Sequence, residues 1–424
     1  LMMNRCSLLR FICLLGLSLP VLAAEYTAVL SNSVEYTDNI GLASDVKDQD
    51  TVHTLSLSAG VVEERKTFQT NANFTLEKDH YYSGSYEGET TLSTGLGLLN
   101  FDLIEDFLSW QTSFTRSQTL DDPLEQARPG NLGHRDTLSS GPSITYVVSP
   151  TTYLTGEGSY TIVENSQSNT SDTQRADFSA AIAHQINSIT GVNLTGQYEV
   201  MLDADGTEKY DRIQLGVGFF RQFVDGSVSL SAGRTQLVPE ESAETESNFY
   251  SLSFNRQQLW LHDVTLSYLE DISDASIGFE VTVPGISSFA ADGNDIVKRR
   301  VASLSIAREF GVYDYGFNFS WEYENYELQN EDEKIKEASF SIGRDIFSDF
   351  SMGFNVEFNQ TDYLEQAAVG KDYTATYQID ADYQFSPSLR MGGFIQHETR
   401  RNSQNAVREY EELSVGISLN WTLI

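Results

Sequence analysis

The sequence contains little cysteine and little positive charge. Its 424 residues include two cysteines, Cys6 and Cys13, and both lie within the first 24 residues. The rest of the chain therefore cannot form a disulfide or a cysteine-based metal site. Lys and Arg number 27 against 61 Asp and Glu, which gives a formal net charge of −34 at pH 7. Nucleic-acid binding requires clustered positive charge, so we expect no nucleic-acid partner.

Long apolar runs are also missing after residue 24, and the sequence predicts no transmembrane helix there. One apolar stretch lies near the start, after Arg5 and Arg10, and it ends at Pro20 and the small residues Ala23 and Ala24. It is well short of the ~20 apolar residues that a membrane-spanning helix needs. A positive start, a short apolar run and a small-residue end are typical of a secretory signal peptide. We predict a signal peptide over 1–24 and a single domain over 25–424.

Apolar and polar residues alternate with a period of two throughout this domain. Successive side chains of a β-strand point to opposite faces, so the pattern predicts strands with one apolar and one polar face. It recurs at 55–61, 213–219, 350–359 and 373–383. The clearest case sets Tyr313, Tyr315, Phe317, Phe319, Trp321 and Tyr323 against Asp314, Gly316, Asn318, Ser320, Glu322 and Glu324.

Such alternation fits either a soluble β-sandwich or a barrel in a membrane. The alternating segments often extend over roughly 10 to 14 residues, whereas soluble strands peak near 5–6. A membrane-crossing strand needs about 9–11 residues. The 21 Tyr and 24 Phe also suit a lipid-facing surface with aromatic girdles. These features favour the membrane barrel.

The predicted connections between strands alternate in length. Short turns are predicted at 63–66, 149–152, 187–190, 224–226, 310–311, 347–349 and 385–388, where Gly, Pro, Asn, Asp or Ser mostly occur. Longer and more charged loops are predicted at 38–50, 79–87, 118–135, 164–175, 202–209, 238–247, 272–297, 326–335, 363–371 and 401–409.

One strand on each side of every long loop gives about 20 antiparallel strands. The lower count is about 18, because 96–107 and 272–297 are ambiguous, and 277–283 could form a small hairpin inside the longest loop. Barrels of this class have short periplasmic turns and longer extracellular loops. The predicted fold is all-β, a transmembrane antiparallel up-and-down β-barrel in the outer membrane of a Gram-negative bacterium.

The polar face of each strand should line the lumen. A barrel of about 20 strands is too wide for side chains alone to fill, so the lumen must hold water, a loop or a partner. The loop 272–297, with Asp274, Glu280, Asp292 and Asp295, is the candidate constriction, and Asp271 precedes it. The acids could be a solvated inner wall, could favour cations and neutral solutes over anions, or could join amides and aromatics in a sugar-binding track. The predicted lumen-lining residues are Asp314, Asn318, Glu322, Glu324, Glu357, Asn359, Asp380 and Asp382.

No catalytic constellation emerges from the sequence, and we expect no enzyme and no cofactor. Asp380 and Asp382 share a strand face roughly 7 Å apart, but with so many acids such pairs arise by chance. The segments 203–206 and 292–295 suggest loose Ca²⁺ binding, although neither completes an EF-hand loop. The histidines are scattered and lie in no His-x-x-x-His pair, at His53, His80, His134, His184, His262 and His397.

The segment Tyr36-Thr37-Asp38-Asn39, followed by Ile40-Gly41-Leu42-Ala43, resembles a signature of the β-barrel porin 2 family. That family includes outer-membrane proteins associated with exosortase/PEP-CTERM systems. Segments 103–110, 148–150 and 400–403 are similar to the same family, and the resemblance spans most of 25–424. It implies either a role near extracellular polysaccharide, as the barrel of an export locus, or a role as a general porin.

The last predicted strand, with Leu419, Trp421 and Leu423 on one face, resembles the C-terminal assembly signal of outer-membrane proteins, although Ile424 replaces the final aromatic. Expected partners are outer-membrane lipid and lipopolysaccharide, the barrel-assembly machinery and polysaccharide-export components. Three functions stay open at this point. They are a passive conduit for polysaccharide export or secretion, a general diffusion porin for small cationic or neutral solutes, and a non-conducting structural or adhesive barrel.

Overall fold

The structure is a computed structural model that describes residues 24–88, 90–120, 128, 131–166, 172–203, 208–240, 244–259, 261–274, 296–326, 332–364 and 370–424. The predicted signal peptide lies outside these residues except for Ala24. The strands are β1 Glu25–Thr37, β2 Asp50–Arg65, β3 Phe68–Tyr81, β4 Thr90–Ile104, β5 Leu108–Leu120, β6 Leu132–Ser149, β7 Thr152–Asn165, β8 Thr173–Asn187, β9 Thr190–Asp203, β10 Glu208–Phe223, β11 Gly226–Pro239, β12 Thr245–Leu259, β13 His262–Asp274, β14 Ile296–Phe310, β15 Tyr313–Tyr326, β16 Glu333–Phe347, β17 Phe350–Tyr363, β18 Lys371–Ser386, β19 Leu389–Asn402 and β20 Tyr410–Thr422.

The twenty strands form one closed antiparallel sheet. Each strand pairs with its neighbours in chain order, and β1 also pairs with β20, from Val29↔Thr422 to Thr37↔Ser414. Closure leaves no unpaired sheet edge. The backbone N–H and C=O groups of the strands can therefore form hydrogen bonds within the sheet, as a membrane requires. The predicted all-β barrel and the count of 20 strands are confirmed. In the part of the chain described, no helix is long and apolar enough to cross a membrane.

The alternating sequence produces an apolar outer surface. The strands are 13 to 18 residues long, whereas about 9–11 residues are needed to cross a bilayer. On β15 and β16 the aromatics Phe317 and Phe340 are directly paired and both are exposed. Their polar neighbours in sequence point to the opposite face, into the barrel. Lipid would solvate the exposed aromatic face, and water the inner face.

Nine tight turns join the strands at the end opposite the long loops. Seven fall at the predicted short connections, the first at Lys66 and Thr67, just after the predicted position. The turn between β4 and β5 lies within 103–110, which resembles the family's turn and strand, whereas the turn between β12 and β13 was not predicted. They use non-glycine residues with positive φ, Asp106 at 57° in the first and Leu261 at 70° in the second. Aspartate adopts this conformation more readily than most residues, but leucine gives no such signal.

Candidate pore and its constriction

The predicted lumen-lining residues share the inner wall. On β15 they alternate with exposed aromatics such as Phe317 and Phe319, and on β17 and β18 they alternate with Phe354, Phe358 and Tyr377. Strand pairing brings Glu357 opposite Thr376, within one continuous polar surface. All eight therefore lie on the face opposite the lipid side, namely Asp314, Asn318, Glu322, Glu324, Glu357, Asn359, Asp380 and Asp382.

Further acids that the sequence reasoning missed occupy the same surface. The strand register places these acids beside the predicted lumen-lining residues. For example, Asn359 Nδ2 donates to Glu337 Oε1 at 2.9 Å, and Thr376 Oγ1 donates to Glu398 Oε2 at 3.2 Å. The alternation within their strands could have identified them. We use "acidic arc" for the inner acids of β15–β20, which add Glu333, Glu337, Asp345, Asp372, Glu398 and Glu412 to the predicted acids.

Two predicted lumen residues are not open to a solute. Glu322 is 4% exposed and forms an ion pair with the buried Arg299, on the adjacent strand β14. Glu324 Oε1 lies 3.2 Å from Arg299 Nε, and Glu324 Oε2 accepts a hydrogen bond from the Tyr326 hydroxyl at 2.7 Å. Buried charge is tolerated only when it is paired and hydrogen-bonded. This cluster is therefore part of the wall, whereas Asp314 and Glu357 are exposed to the lumen.

The β13–β14 hairpin bends into the lumen at the long-loop end of the barrel. Pairing between β12 and β13 stops at Tyr250↔Glu270, but pairing between β13 and β14 continues to Asp274↔Ile296. The last residues of β13 thus separate from β12, whereas the start of β14 stays paired with β15 from Val297↔Tyr326. Their apolar side chains pack against the inner faces of β9–β11, in a cluster formed by Met201, Tyr210, Leu237, Ile272 and Ile296.

Polar contacts fix the base of this hairpin, and we call them the latch. Arg212 Nη2 donates to Asp271 Oδ2 at 2.6 Å, and Arg212 Nε donates to the Ile272 carbonyl at 3.2 Å. Thr235 Oγ1 donates to Asp271 Oδ1 at 2.9 Å, and Gln214 Nε2 donates to Oδ2 at 3.1 Å. Asp271 and Arg212 are both buried. The latch holds β13 against strands that are not its neighbours in the sheet.

The described ends of the predicted constriction, 272–274 and 296–297, lie in this hairpin. Asp271, predicted to precede it, is the central acceptor of the latch. The intervening residues 275–295 lie outside the described residues, and with them Glu280, Asp292, Asp295 and the predicted hairpin at 277–283. Whether they narrow the lumen further stays a prediction.

The Tyr36–Asn39 segment ties the two ends of the sheet together. Asn39 is fully buried; its Nδ2 donates to the carbonyls of Ala43 and Glu411, both at 3.0 Å, and its Oδ1 accepts from the Ala43 amide at 2.9 Å. Thr37 Oγ1 donates to Glu412 on β20, and the Tyr36 hydroxyl donates to Gln49. The signature residues therefore stabilise the seam between β1 and β20.

Asp38 strengthens the same seam outside the membrane-spanning strands. Its Oδ1 accepts from the Leu413 amide at 2.8 Å, and its Oδ2 accepts from Lys47 Nζ at 2.9 Å. Partial burial acts to raise the pKa of Asp38, but the hydrogen bonds from Leu413 and Lys47 outweigh it and hold that pKa below its usual range.

The remaining predicted sites are dispersed. The C-terminal residues Leu419, Trp421 and Leu423 are exposed on the outer face beside β1 and β19. His184 bonds to Thr152 on the neighbouring strand β7, and His262 bonds to Tyr315, two strands away on β15. Within the described ranges, no three His, Cys, Asp or Glu residues are arranged to hold a metal ion. Both candidate Ca²⁺ segments fall largely outside those ranges, so calcium binding there stays a prediction.

A family model described as "Putative outer membrane beta-barrel porin, MtrB/PioB" matches residues 324–422. Similar solved structures include Pseudomonas aeruginosa OccK2 (OpdF) in complex with glucuronate, at 10% identity and TM-score 0.43, covering 95% of this chain and 98% of that one. The siderophore receptor PirA of the same species has 11% identity and TM-score 0.47, covering 94% and 80%. Acinetobacter baumannii OccAB1 has 9% identity and TM-score 0.42, covering 95% and 97%. A search of curated proteins finds no match.

The chain is a closed 20-strand antiparallel β-barrel, and its segment 324–422 is similar to an outer-membrane porin family. The description of that family does not refer to an exosortase or a polysaccharide system, so that part of the resemblance stays a prediction.

Proposed function

We propose that the chain is a passive outer-membrane pore for small cationic and neutral polar solutes. The observation that carries the proposal is the acidic arc. On the inner faces of β15–β20, the acids of the arc outnumber the cations. Arg390 and Arg400 are cations on these faces. Arg400 is already paired with Asp372.

The other side of the lumen has a different chemistry. The inner faces of β4–β12 carry mainly hydroxyl and amide side chains. The cations there are engaged by the wall: Arg175 Nη1 lies 2.6 Å from Glu199 Oε1, Arg212 belongs to the latch, and the buried Arg135 donates to Asn165 Oδ1. A lumen with one acidic and one neutral side concentrates cations, passes neutral polar solutes and repels anions.

Reversal-potential measurements test the proposal. The refolded chain is inserted in a planar bilayer under a KCl gradient, and we expect a cation-selective current. The variant Glu357→Gln/Asp380→Gln should lower that selectivity, since it removes two acids from the lumen. Asp45→Asn/Asp106→Asn is the matched control, because it removes two acids from a loop and a turn. Its selectivity should equal that of the wild type.

Two results would overturn this function. A correctly folded barrel, verified by a heat-dependent shift in gel mobility, could give no current, which would favour a structural or adhesive barrel. Alternatively, the current could be anion-selective, and the acidic arc would then not determine which solutes pass.

Export of extracellular polysaccharide is a second candidate, favoured by the hydroxyl and amide side chains of β4–β12, which suit sugar hydroxyls. Deleting the gene and measuring cell-surface polysaccharide tests it. Loss of surface polysaccharide that the wild-type gene restores would support export. An unchanged amount, together with slower uptake of small solutes, would support the general pore.

A further inference from the structure

We propose that the inner wall of β3–β8 holds a binding subsite for neutral carbohydrate. The proposal rests on the pore function, since a ligand must enter the lumen to reach this wall. The subsite is a groove of about 400 Å³, within the ~300–1,000 Å³ typical of small-molecule sites. We call it the amide groove; the lining residues used below are Gln69, Asn100, Gln111, Gly141, Glu157 and Asp177.

A row of amide side chains crosses the groove. In the strand register Gln69 pairs with Asn100, Asn100 with Gln111, and Gln111 with Gly141. Neighbouring strands lie about 4.8 Å apart, so three carboxamides follow one another at that spacing. Each carboxamide offers both donors and an acceptor. The row can therefore bond to both the hydrogens and the oxygens of successive hydroxyl groups.

One acceptor in this row is unsatisfied. Asn100 Oδ1 is buried and has no hydrogen-bond partner. Three amides elsewhere on the inner wall are engaged: Asn318 with Ser339, Asn359 with Glu337, and Gln214 within the latch. An unpaired buried acceptor is unfavourable, and a ligand hydroxyl that donates to it would relieve the penalty.

A glycine keeps the wall beside Gln111 free of a side chain. A Cβ at Gly141 would lie 1.8 Å from the Gly158 carbonyl oxygen, so no side chain fits there. Pro142 follows, and the pairing of β6 with β7 passes from Ser140↔Tyr160 to Ser143↔Glu157 without a bridge between them. No side chain therefore projects from this position into the groove.

The charge of the lining disfavours an anionic ligand. Among the described residues that line the groove, there is no Lys or Arg to neutralise an anion. The carboxylates of Glu157 and Asp177 can accept hydrogen bonds from hydroxyls, and Asp177 is already positioned by Gln197 Nε2 at 2.8 Å. A neutral sugar satisfies the amides and these acceptors together, whereas a sugar acid would face repulsion.

Ligand-observed NMR on the detergent-solubilised full chain tests the subsite without requiring conductance. The probes are maltotriose, cellotriose and raffinose, with glucuronic acid as the charged comparison. The groove variant is Gln69→Leu/Gln111→Leu. Gln378→Leu/Gln396→Leu is its matched control, because these two glutamines are also paired on the inner wall, within the acidic arc. Heat-modifiable gel mobility verifies that both variants fold.

We expect at least one neutral sugar to bind the wild type. The groove variant should bind it about tenfold more weakly, because it loses two hydrogen-bonding amides. Binding to the control should be unchanged. Failure of all three sugars to bind the wild type, or equal weakening in both variants, would overturn the subsite. Sugar binding without bilayer current would support the subsite and contradict the proposed pore function. Bilayer current without sugar binding would support the pore function and contradict the subsite.

Discussion

Arg212 on β10 and Asp271 on β13 form an ion pair, with 2.6 Å between Nη2 and Oδ2, although two strands of the wall separate them. The contact exists because the end of β13 leaves β12 and enters the lumen. It makes the hairpin base a fixed part of the pore.

Removing the carboxylate should release the hairpin base. For Asp271→Ala we expect a larger single-channel conductance and lower stability, since breaking a buried pair typically costs about 3–5 kcal/mol. In Asp271→Ala, Arg212 keeps only the Glu199 carboxylate, 3.7 Å from its Nη1. The destabilisation of Arg212→Ala/Asp271→Ala should be smaller than the sum for the two single variants, because both remove the same pair. Conductance and denaturant midpoints measure the two effects. The control is Arg234→Ala, which breaks the exposed pair with Glu246; conductance equal in Asp271→Ala and this control would contradict the latch.

The seam supplies a second prediction. Asn39→Ala removes three hydrogen bonds from a buried side chain and leaves backbone carbonyls of Ala43 and Glu411 without that donor. Each unsatisfied buried group costs about 1–3 kcal/mol, so the unfolding temperature should fall. Asn32→Ala, which loses one exposed contact to His53, is the control. Equal unfolding temperatures for the two variants, measured by heat-modifiable mobility, would show that the segment does not hold the seam.

Asp38 gives the seam a pH dependence. Its pKa is lowered on folding, so its ionised form stabilises the barrel above the unfolded pKa of about 3.9, and this contribution is lost as pH falls through the folded pKa. The stability difference between wild type and Asp38→Asn should therefore be largest near neutral pH and shrink in acid. Urea midpoints measured at several pH values give this difference. A difference that stays constant with pH would contradict the role of the Asp38 charge.

Period-two alternation was sufficient to predict the fold, because a strand crossing a membrane between lipid and water must keep one apolar and one polar face. The strand count followed from loops rich in charge and turns rich in Gly, Pro, Asn, Asp and Ser. The pattern of turn residues did not indicate the turns at Asp106 and Leu261, because non-glycine residues adopt positive φ there. Local sequence carries no reliable signal for that conformation.

The candidate site was only partly predictable. Alternation identifies the inner face of a strand but not whether an acid on it is paired, and so Glu322 and Glu357 look equivalent in sequence. The latch joins residues 59 apart and depends on a strand leaving the sheet. Because the end of β13 separates from β12, Ile272 is buried inside the barrel. Alternation alone would place its side chain against lipid. Such tertiary events depend on packing between distant strands.

The difference between Glu322 and Glu357 leads to the final prediction. Glu322 is buried against Arg299, whereas Glu357 is exposed on the inner wall. Glu357→Gln should lower cation selectivity and leave stability nearly unchanged. Glu322→Gln should lower stability, because it leaves Arg299 with a weaker partner in a buried cluster, and should barely change selectivity in the barrels that fold. Reversal potentials and denaturant midpoints for both variants separate the two roles. If Glu322→Gln shifted the reversal potential as much as Glu357→Gln, solutes would have to sense the buried cluster, and the division between wall and pore acids would be wrong.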